Sequence, residues 1–409
     1  MMHGSCRVCG AQLKHTAADL GLSPLANSYV PLDKSREGEI FYPLHAFVCE
    51  ECFLVQLEEF ESPENIFSDY AYFSGFSTSW LRHAENYVEK MQERFGLASN
   101  HKVVEVASND GYLLQYFVRR GVPVLGVEPA RNVAEVAISR GVPTEVAFFG
   151  RRTAERLLAA GHSADLMAAN NVLAHVPDIL DFVAGFRVLL KPEGVATFEF
   201  PHLLRMVEES QFDTIYHEHF SYLSLSVVAH VARLNDLRVF DVEELPTHGG
   251  SLRVFMCRVD AGHGTTGAVG RVLDAERAAG LRDLSTYARF AENVVRIKCE
   301  ALNFLINARQ NKKLVCAYGA AAKGNTFLNY CGIGPELIQV VADRSPHKQR
   351  TLLPGSRIPV VSPEEMLARK PDYVLILPWN LRDEIAEQLA SVREWGGAFV
   401  TAVPEISIF

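Results

Sequence analysis

The sequence predicts an α/β protein in three parts: a small four-cysteine module, then two successive units in which strands and helices alternate. Three observations carry this reading. Cys6, Cys9, Cys49 and Cys52 form two C-x-x-C pairs near the N-terminus. From about residue 80 to 255, apolar strand-like runs alternate with helical patterns. The same alternation resumes at Leu314 and runs to Val403.

The first part needs help to fold, because so short a stretch buries little apolar surface. Two C-x-x-C turns each offer two thiolates, and together they complete the tetrahedral shell preferred by structural zinc. Such a shell leaves no open coordination position, so the metal is assigned to folding. Gly10 suits the turn after the first pair. The remaining cysteines, Cys257, Cys299, Cys316 and Cys331, are scattered and read as small buried hydrophobes.

In the second part the expected strands are Val103–Ala107, Val124–Glu128, Ala164–Ala169 and Val195–Phe200. Helices are expected at Leu113–Arg120, Val133–Arg140 and Ile179–Leu190. Alternation of this kind implies a parallel sheet covered on both faces. A less regular stretch follows, Phe212–Phe255, with a strand at Ser251–Phe255. A helical connector, about Leu281–Arg309, leads to the third part. Its strands are expected at Leu314–Tyr318, Ile338–Ala342, Tyr373–Leu377 and Ala398–Val403. The domain boundaries read 1–65, 66–280 and 281–409.

The 409 residues carry a net charge of −9, with 48% hydrophobic and 22% charged residues. That balance suits a globular enzyme and argues against a nucleic-acid binder. No apolar run approaches the roughly 18 residues needed to cross a bilayer. The opening MMHGSCRVCG lacks the apolar stretch of a signal peptide, so the chain reads as cytoplasmic, with reduced thiols and no membrane or obligatory protein partner.

The segment KVVEVASNDGYLLQYF runs strand, tight turn, helix. Glu105 lies in the strand, and Ser108, Asn109, Asp110 and Gly111 form the turn. Small residues and a helix N-terminus let a ligand approach the backbone closely. With one glycine and an acidic residue, the turn is not the G-x-G-x-x-G of dinucleotide binders, and it suits a ligand with an amino group and no phosphate. Glu128, ending the next strand, is placed to accept ribose hydroxyls. Asn170 and Asn171 end a further strand, with His175 just beyond.

The densest polar cluster is FDTIYHEHFSYLS, with Asp213, Tyr216, His217, Glu218, His219 and Tyr222. As a strand it would put Tyr216 and Glu218 on one side and the two histidines on the other. As a turn or helix start it would bring them together. Metal binding is a rival reading, since H-x-H with a glutamate between is a weak metal signal. LPTHGGSLRV adds His248, Gly249, Gly250 and Arg253. DYAYFSGFSTSW reads either as an aromatic linker or as a flap in which Tyr72 supplies a hydroxyl. In the third part, LVCAYGAAAKGNTFLN is a strand, a small-residue turn and a helix, and its backbone N–H groups at Ala320–Lys323 together with the Lys323 charge suit a pyrophosphate. It is not a Walker A motif, because Asn325 stands where that motif needs lysine.

Taken in order, C-x-x-C twice, E-x-A-S-N-D-G, Y-H-E-H-F, H-G-G-S-L-R and Y-G-A-A-A-K-G-N-T resemble the zinc-containing, S-adenosylmethionine-dependent sugar C-methyltransferases that act on nucleotide-linked 4-keto deoxysugars. The resemblance spans essentially the whole chain. It implies a zinc module, a central class I methyltransferase domain and a C-terminal Rossmann-like domain. It also implies zinc on Cys6, Cys9, Cys49 and Cys52. The methyl donor would lie at Glu105, Ser108, Asn109, Asp110, Gly111, Glu128, Asn170 and Asn171. His219 is the implied base that removes the proton at sugar C3, with Tyr216 and Glu218 beside the sugar and His175 and Tyr72 as helpers. His248, Gly249, Arg253, Tyr318, Ala320, Lys323, Asn325 and Asp343 would hold the nucleotide-linked keto-sugar.

Overall fold

The computed structural model describes residues 4–62, 74–76 and 78–409. Its first element, the small four-cysteine module, is built on an antiparallel β unit. Strands β1 (His15–Ser23), β3 (Tyr42–Val48) and β4 (Val55–Leu57) pair in the order β1-β3-β4. A two-residue strand, β2 (Val30–Pro31), leaves this sheet. The fourth strand comes from far along the chain, where β10 (Ser221–Tyr222) pairs with β4 directly after the Tyr-His-Glu-His cluster. A short module short of core therefore finishes its sheet with a strand borrowed from the polar segment.

The second unit opens with helix α1 (Thr78–Phe95) and continues as β5 (Val103–Val106), α2 (Leu114–Arg119), β6 (Val124–Val127), α3 (Arg131–Ser139), β7 (Thr144–Glu145), α4 (Arg151–Ala159), β8 (Ala164–Asn170), α5 (Ile179–Leu189) and β9 (Leu190–Pro201). The expected strands and helices stand within a few residues of these bounds, except that β9 starts five residues earlier than expected. Beyond β10, helix α6 (Leu225–Leu234) leads to β11 (Leu237–Leu245) and β12 (Ser251–Arg258). The seven-stranded sheet has the order β11-β12-β9-β8-β5-β6-β7. Strands β5 to β9 run parallel, and β12 and β11 add an antiparallel edge. Every residue of β5 and β6 is buried, as a strand covered on both faces requires. The less regular stretch thus supplies the strand expected at Ser251–Phe255 and one more, β11, that was not expected. The strand order reverses between β5 and β8, the place where α/β sheets open a ligand crevice at the carboxyl ends of the strands.

Helix α7 (Gly267–Ala278) closes this unit, and α8 (Leu284–Gln310) leads out of it. Tyr287, Phe290, Val294, Ile297, Ala301, Leu305 and Ala308 form a buried stripe along α8 at helical spacing. That stripe joins β1, β3 and the C-terminal sheet in one core. The C-terminal unit holds β13 (Val315–Tyr318), α9 (Ala322–Cys331), β14 (Val341–Ala342), β15 (Thr351–Leu352), β16 (Val360–Val361), β17 (Tyr373–Ile376), β18 (Ala398–Thr401) and β19 (Ser407–Ile408). Its sheet runs β16-β14-β13-β17-β18-β19 and reverses order between β13 and β17. Strand β15 pairs with β2, which ties the N-terminal loop to this unit. Cys257, Cys316 and Cys331 are buried as expected, whereas Cys299 is exposed on α8. Among the described residues no helix is long and apolar enough to cross a membrane.

Candidate active site and metal centre

The four cysteines of the two knuckles converge. Their Sγ atoms all lie within 4.8 Å of one another, with Cys6 to Cys52 and Cys9 to Cys49 each at 3.5 Å. Zinc–sulfur bonds of about 2.3 Å in a tetrahedron separate sulfurs by about 3.8 Å, so the cluster fits that ion. Gln56 donates to Cys6 Sγ at 3.2 Å and accepts the Arg7 N–H at 3.0 Å. Arg7, inside the first knuckle, donates to the carbonyls of Leu57 and Pro177 and lies over the Phe220 ring. The metal-binding turn therefore touches both the loop after His175 and the residue after His219.

At the carboxyl ends of β5, β6 and β8 a second site takes shape. Ala107, Asn109 and Gly111 all have positive φ, which folds the turn tightly under the helix start. Asn109 Oδ1 accepts the Ser74 N–H at 2.8 Å, while Asp110 Oδ2 accepts from Gly75 N–H and from Arg140 at 2.8 Å. Glu128 accepts the backbone N–H groups of Asn109 and Ala130, both at 2.9 Å. Burial raises its pKa, and these bonds partly offset the rise. Glu105 is buried, and neither carboxylate oxygen meets a donor in hydrogen-bond geometry. Burial holds its carboxyl well above the usual range, and the Tyr112 hydroxyl gives partial relief. Asp110 Oδ1, Asn170 Oδ1 and Asn171 Oδ1 are likewise buried acceptors without a donor. Orphaned acceptors in such number, beside a strand-order reversal, fit a ligand that brings ammonium and amine donors, as S-adenosylmethionine does. Ser108 Oγ is also buried without a partner, and it packs against the backbone of Gly126.

That packing yields a direct test. A Cβ on Gly126 would collide with Ser108 Oγ and meet Thr144 Oγ1 at 3.0 Å. Gly126→Ala is expected to cost about 1–3 kcal/mol by overpacking and to weaken donor binding by displacing the turn. Denaturant unfolding and calorimetric titration of the donor would read the two effects, and unchanged values in both would refute the packing argument.

The Tyr-His-Glu-His cluster is a tight turn entered through a 3-10 turn at Phe212–Thr214, not a strand. It brings Tyr216 and His219 together, with the phenol oxygen 2.7 Å from His219 Nε2. His219 Nδ1 donates to the Thr214 carbonyl at 2.9 Å, which fixes the tautomer with Nε2 as the acceptor of the Tyr216 O–H. His175 stands edge-on to His219, ring centroids 4.6 Å apart, and its Nδ1 donates to the Glu218 carbonyl at 2.7 Å. Burial, the charge of Lys323 and other neighbours push His248 down to about 4. Burial pushes His175 to about 4 as well, and holds His219 well below its usual value. All three imidazoles are therefore neutral at physiological pH. Glu218 points elsewhere, accepting from Asn27 of the N-terminal loop at 2.6 Å, and burial raises its pKa. His217 is turned onto Tyr42, Pro43 and Phe60 of the β unit. Tyr72 lies outside the described residues.

His248 sits at φ +56 in the turn before β12, with Trp80 at 5.7 Å, and Gly249 and Gly250 continue in positive φ. Arg253 departs from the expected sugar contact. It is buried in β12 between its two cross-strand neighbours, 2.8 Å from Glu199 and 3.2 Å from Glu243, and its guanidinium lies over Tyr87. Burial alone would raise the Glu199 carboxyl, but His83 and Arg253 outweigh it and hold it below the usual range. Glu199 also accepts from Thr247 and so braces the His248 turn.

The C-terminal unit meets this cluster with the ends of β13 and β17. Ala320 gives its N–H to Asp343 Oδ2 at 2.9 Å, so that amide is already satisfied within the chain. The second Asp343 oxygen accepts the Ser345 N–H. Asn325 is buried and donates to the Ala26 carbonyl, and Thr326 donates to the Ile215 carbonyl. Tyr318 packs on the other face of the sheet with Val340, Ile376 and Met366. Of this group, Lys323 is the side chain that faces the imidazoles: its charge is felt at His219 and His248. Trp379 and Asn27 escaped the sequence reading. A tryptophan directly after a strand, in LILPWN, was the available signal for the first, and nothing pointed to the second.

Comparison with known proteins shows the family. Residues 6–67 match the model of a zinc binding domain, 80–242 a methyltransferase domain, and 246–404 a C-methyltransferase C-terminal domain. The C-methyltransferase NovU of Streptomyces niveus is 37% identical over 98% of this chain and 95% of its own length. A ubiquinone biosynthesis O-methyltransferase of Bartonella bacilliformis is 28% identical over 23% of this chain and 38% of its own length. A solved structure, the magnesium protoporphyrin IX methyltransferase of Synechocystis with bound S-adenosylmethionine, aligns with a TM-score of 0.34 at 12% identity, over 44% of this chain and 79% of that one.

Proposed function

Because the chain belongs to the zinc-containing, S-adenosylmethionine-dependent C-methyltransferases, we propose that its acceptor is a ring carbon, C3, of a nucleotide-linked 4-keto deoxysugar. The observation that carries this reading is the Tyr216–His219 pair, 2.7 Å apart with His219 fixed as a neutral acceptor. A carbon acceptor needs a base, whereas a purely binding site has no use for one. When bound, S-adenosylmethionine supplies an electrophilic methyl group on a sulfonium. Everything else falls to the chain.

Glu105, Asp110, Asn170 and Asn171 offer the donor their unpaired oxygens, and Asn109 and Gly111 shape the turn around it. Glu128 retains a second lone pair on each oxygen for ribose hydroxyls. The keto group acidifies the neighbouring ring C–H, and the Tyr216–His219 pair takes that proton, the phenol relaying to the imidazole or giving way to it. His175 and His248 are neutral neighbours able to donate to oxygen. Holding the acceptor carbon against the methyl is the remaining task, and it is one of alignment. In this reading Lys323 and Gly249 face the sugar, while Arg253 acts through Glu199 and Asn325 by holding the Ala26 loop. Cys6, Cys9, Cys49 and Cys52 hold zinc as a structural ion.

The test is a panel of thymidine-, guanosine- and cytidine-diphosphate 4-keto-6-deoxyhexoses incubated with labelled methyl donor. A product heavier by one methylene, with the label in a carbon-bound methyl by NMR, is expected. A methoxy signal would reassign the acceptor to oxygen, and no product from any member would overturn the sugar reading.

A further inference from the structure

Lys323 is the second residue of α9, where the strand order of the C-terminal sheet reverses and its crevice opens toward the methyltransferase unit. Among the described residues it makes no ion pair. Its Nζ rests over the Trp379 ring, 4.7 Å from the centroid, and lies 3.4 Å from Asn380 Oδ1. Asp213 is close enough to favour its charge, with Oδ2 accepting the Trp379 indole N–H at 2.8 Å and Oδ1 a buried acceptor without a donor. Trp379 is wedged in place, since a Cβ on Gly249 would stand 2.5 Å from its ring. Three segments thus meet at one indole: the loop after β17, the start of the Tyr-His-Glu-His turn, and the glycine pair after His248. A half-buried ammonium with no direct ion pair, its charge felt at two imidazoles and balanced at a distance by Asp213, is electrostatically incomplete. An aromatic face compensates by only about 0.5–2 kcal/mol.

We propose that Lys323 is a catalytic residue whose ammonium neutralises the oxyanion formed at the sugar's keto oxygen, and that Trp379 and Asp213 are positioning residues that hold it there. The inference rests on the keto-sugar reading above and adds the group that stabilises its intermediate. In the step, the ring C–H bond breaks and its proton passes to the Tyr216–His219 pair. The electron pair forms a carbon–carbon double bond while the keto oxygen takes the negative charge opposite Lys323. The acceptor carbon then bonds to the methyl carbon, the sulfur keeps the old bond pair, the ketone re-forms, and the proton leaves to solvent. The same cation disfavours protonation of His219 and His248, which keeps the base in its working form. Burial lowers the Lys323 pKa and Asp213 opposes that shift, so the carboxylate helps keep the ammonium charged.

The test separates enolate formation from binding by following solvent deuterium exchange into the keto-sugar with S-adenosylhomocysteine in place of the donor. Lys323→Met is expected to slow exchange and kcat about 100-fold, the scale of losing one oxyanion contact, with KM changed less than threefold. Trp379→Phe keeps the ring and loses the N–H bond, so it should fall between that variant and wild type, and Lys323→Arg should restore part of the rate. If Lys323→Met raises KM and leaves kcat and exchange untouched, the lysine serves nucleotide binding and the proposal is overturned. If Trp379→Phe matches wild type in exchange, the positioning role falls. A wild-type enzyme inert on every keto-sugar of the panel would overturn the parent reading and this one with it.

Discussion

His219→Asn is expected to lower turnover by about three orders of magnitude, within the range for losing a general base, with donor affinity within about twofold of wild type. Asparagine keeps a donor for the Thr214 carbonyl but has no basic nitrogen at the Nε2 position, where Tyr216 donates. Tyr216→Phe tests the other half of the pair and should lose rate without changing the pH dependence of donor binding. The pH profile follows from the same environment. Burial holds His219 well below its usual pKa, and His175 and His248 near 4. The acid limb of kcat/KM should therefore lie below the value of about 6.5 that a solvated imidazole would give. Stability follows with a definite sign. In the acid range the unfolded chain binds protons that the folded chain refuses, so the contribution of the neutral imidazoles is full above about pH 6.5 and is lost as the pH falls toward 4. Stopped turnover assays and urea melts across pH 4–8 read both. An acid limb centred at 6.5, or a His219→Asn enzyme with near-native turnover, would remove His219 from the role of base.

Cys49→Ser, or prolonged chelation, is expected to abolish activity and to lower the melting temperature. Structural zinc contributes on the order of 10 kcal/mol of binding free energy that doubles as folding free energy in small modules. The reach of this loss is what makes it large. Arg7 lies between two ligands and holds Pro177, two residues after His175, at 2.8 Å. Strand β4 follows the second knuckle and pairs with β10, which follows His219. Opening the metal shell releases both histidine loops together. Metal content by mass spectrometry, near-UV circular dichroism and activity should fall in step. A zinc-free enzyme with native melting and turnover would show the shell to be dispensable.

The sheets were legible in the sequence because buried parallel strands are near-continuous apolar runs, as in Val124–Val127 and Val315–Tyr318. The Ser-Asn-Asp-Gly turn was legible because an acidic strand, a small polar turn and a helix follow in succession. The antiparallel β unit was not, since HTAADLGLS has a single β-branched residue, Thr16, and no regular alternation to announce a strand. The pairing of Arg253 was hidden for a physical reason. A charged residue in a strand suggests a ligand, but Glu199 and Glu243 sit at its register positions on both neighbours, and pairing between strands that distant is invisible in one dimension. The same blindness hid Trp379. Its meaning comes from Asp213, which the fold brings to 2.8 Å across two sheets.

The strand pairings of the first sixty residues have a consequence for synthesis. These residues leave the ribosome well before their partners, since their sheet waits for Ser221–Tyr222 and Val30 waits for Leu352. The nascent N-terminus must stay soluble and unfinished through most of translation, its thiols open to metal before its edges are covered. Long closures of this kind slow folding. Proteolysis of ribosome-stalled chains should find the β4 edge protected only after residue 222 has emerged, and protection of a shorter chain would contradict this order of events.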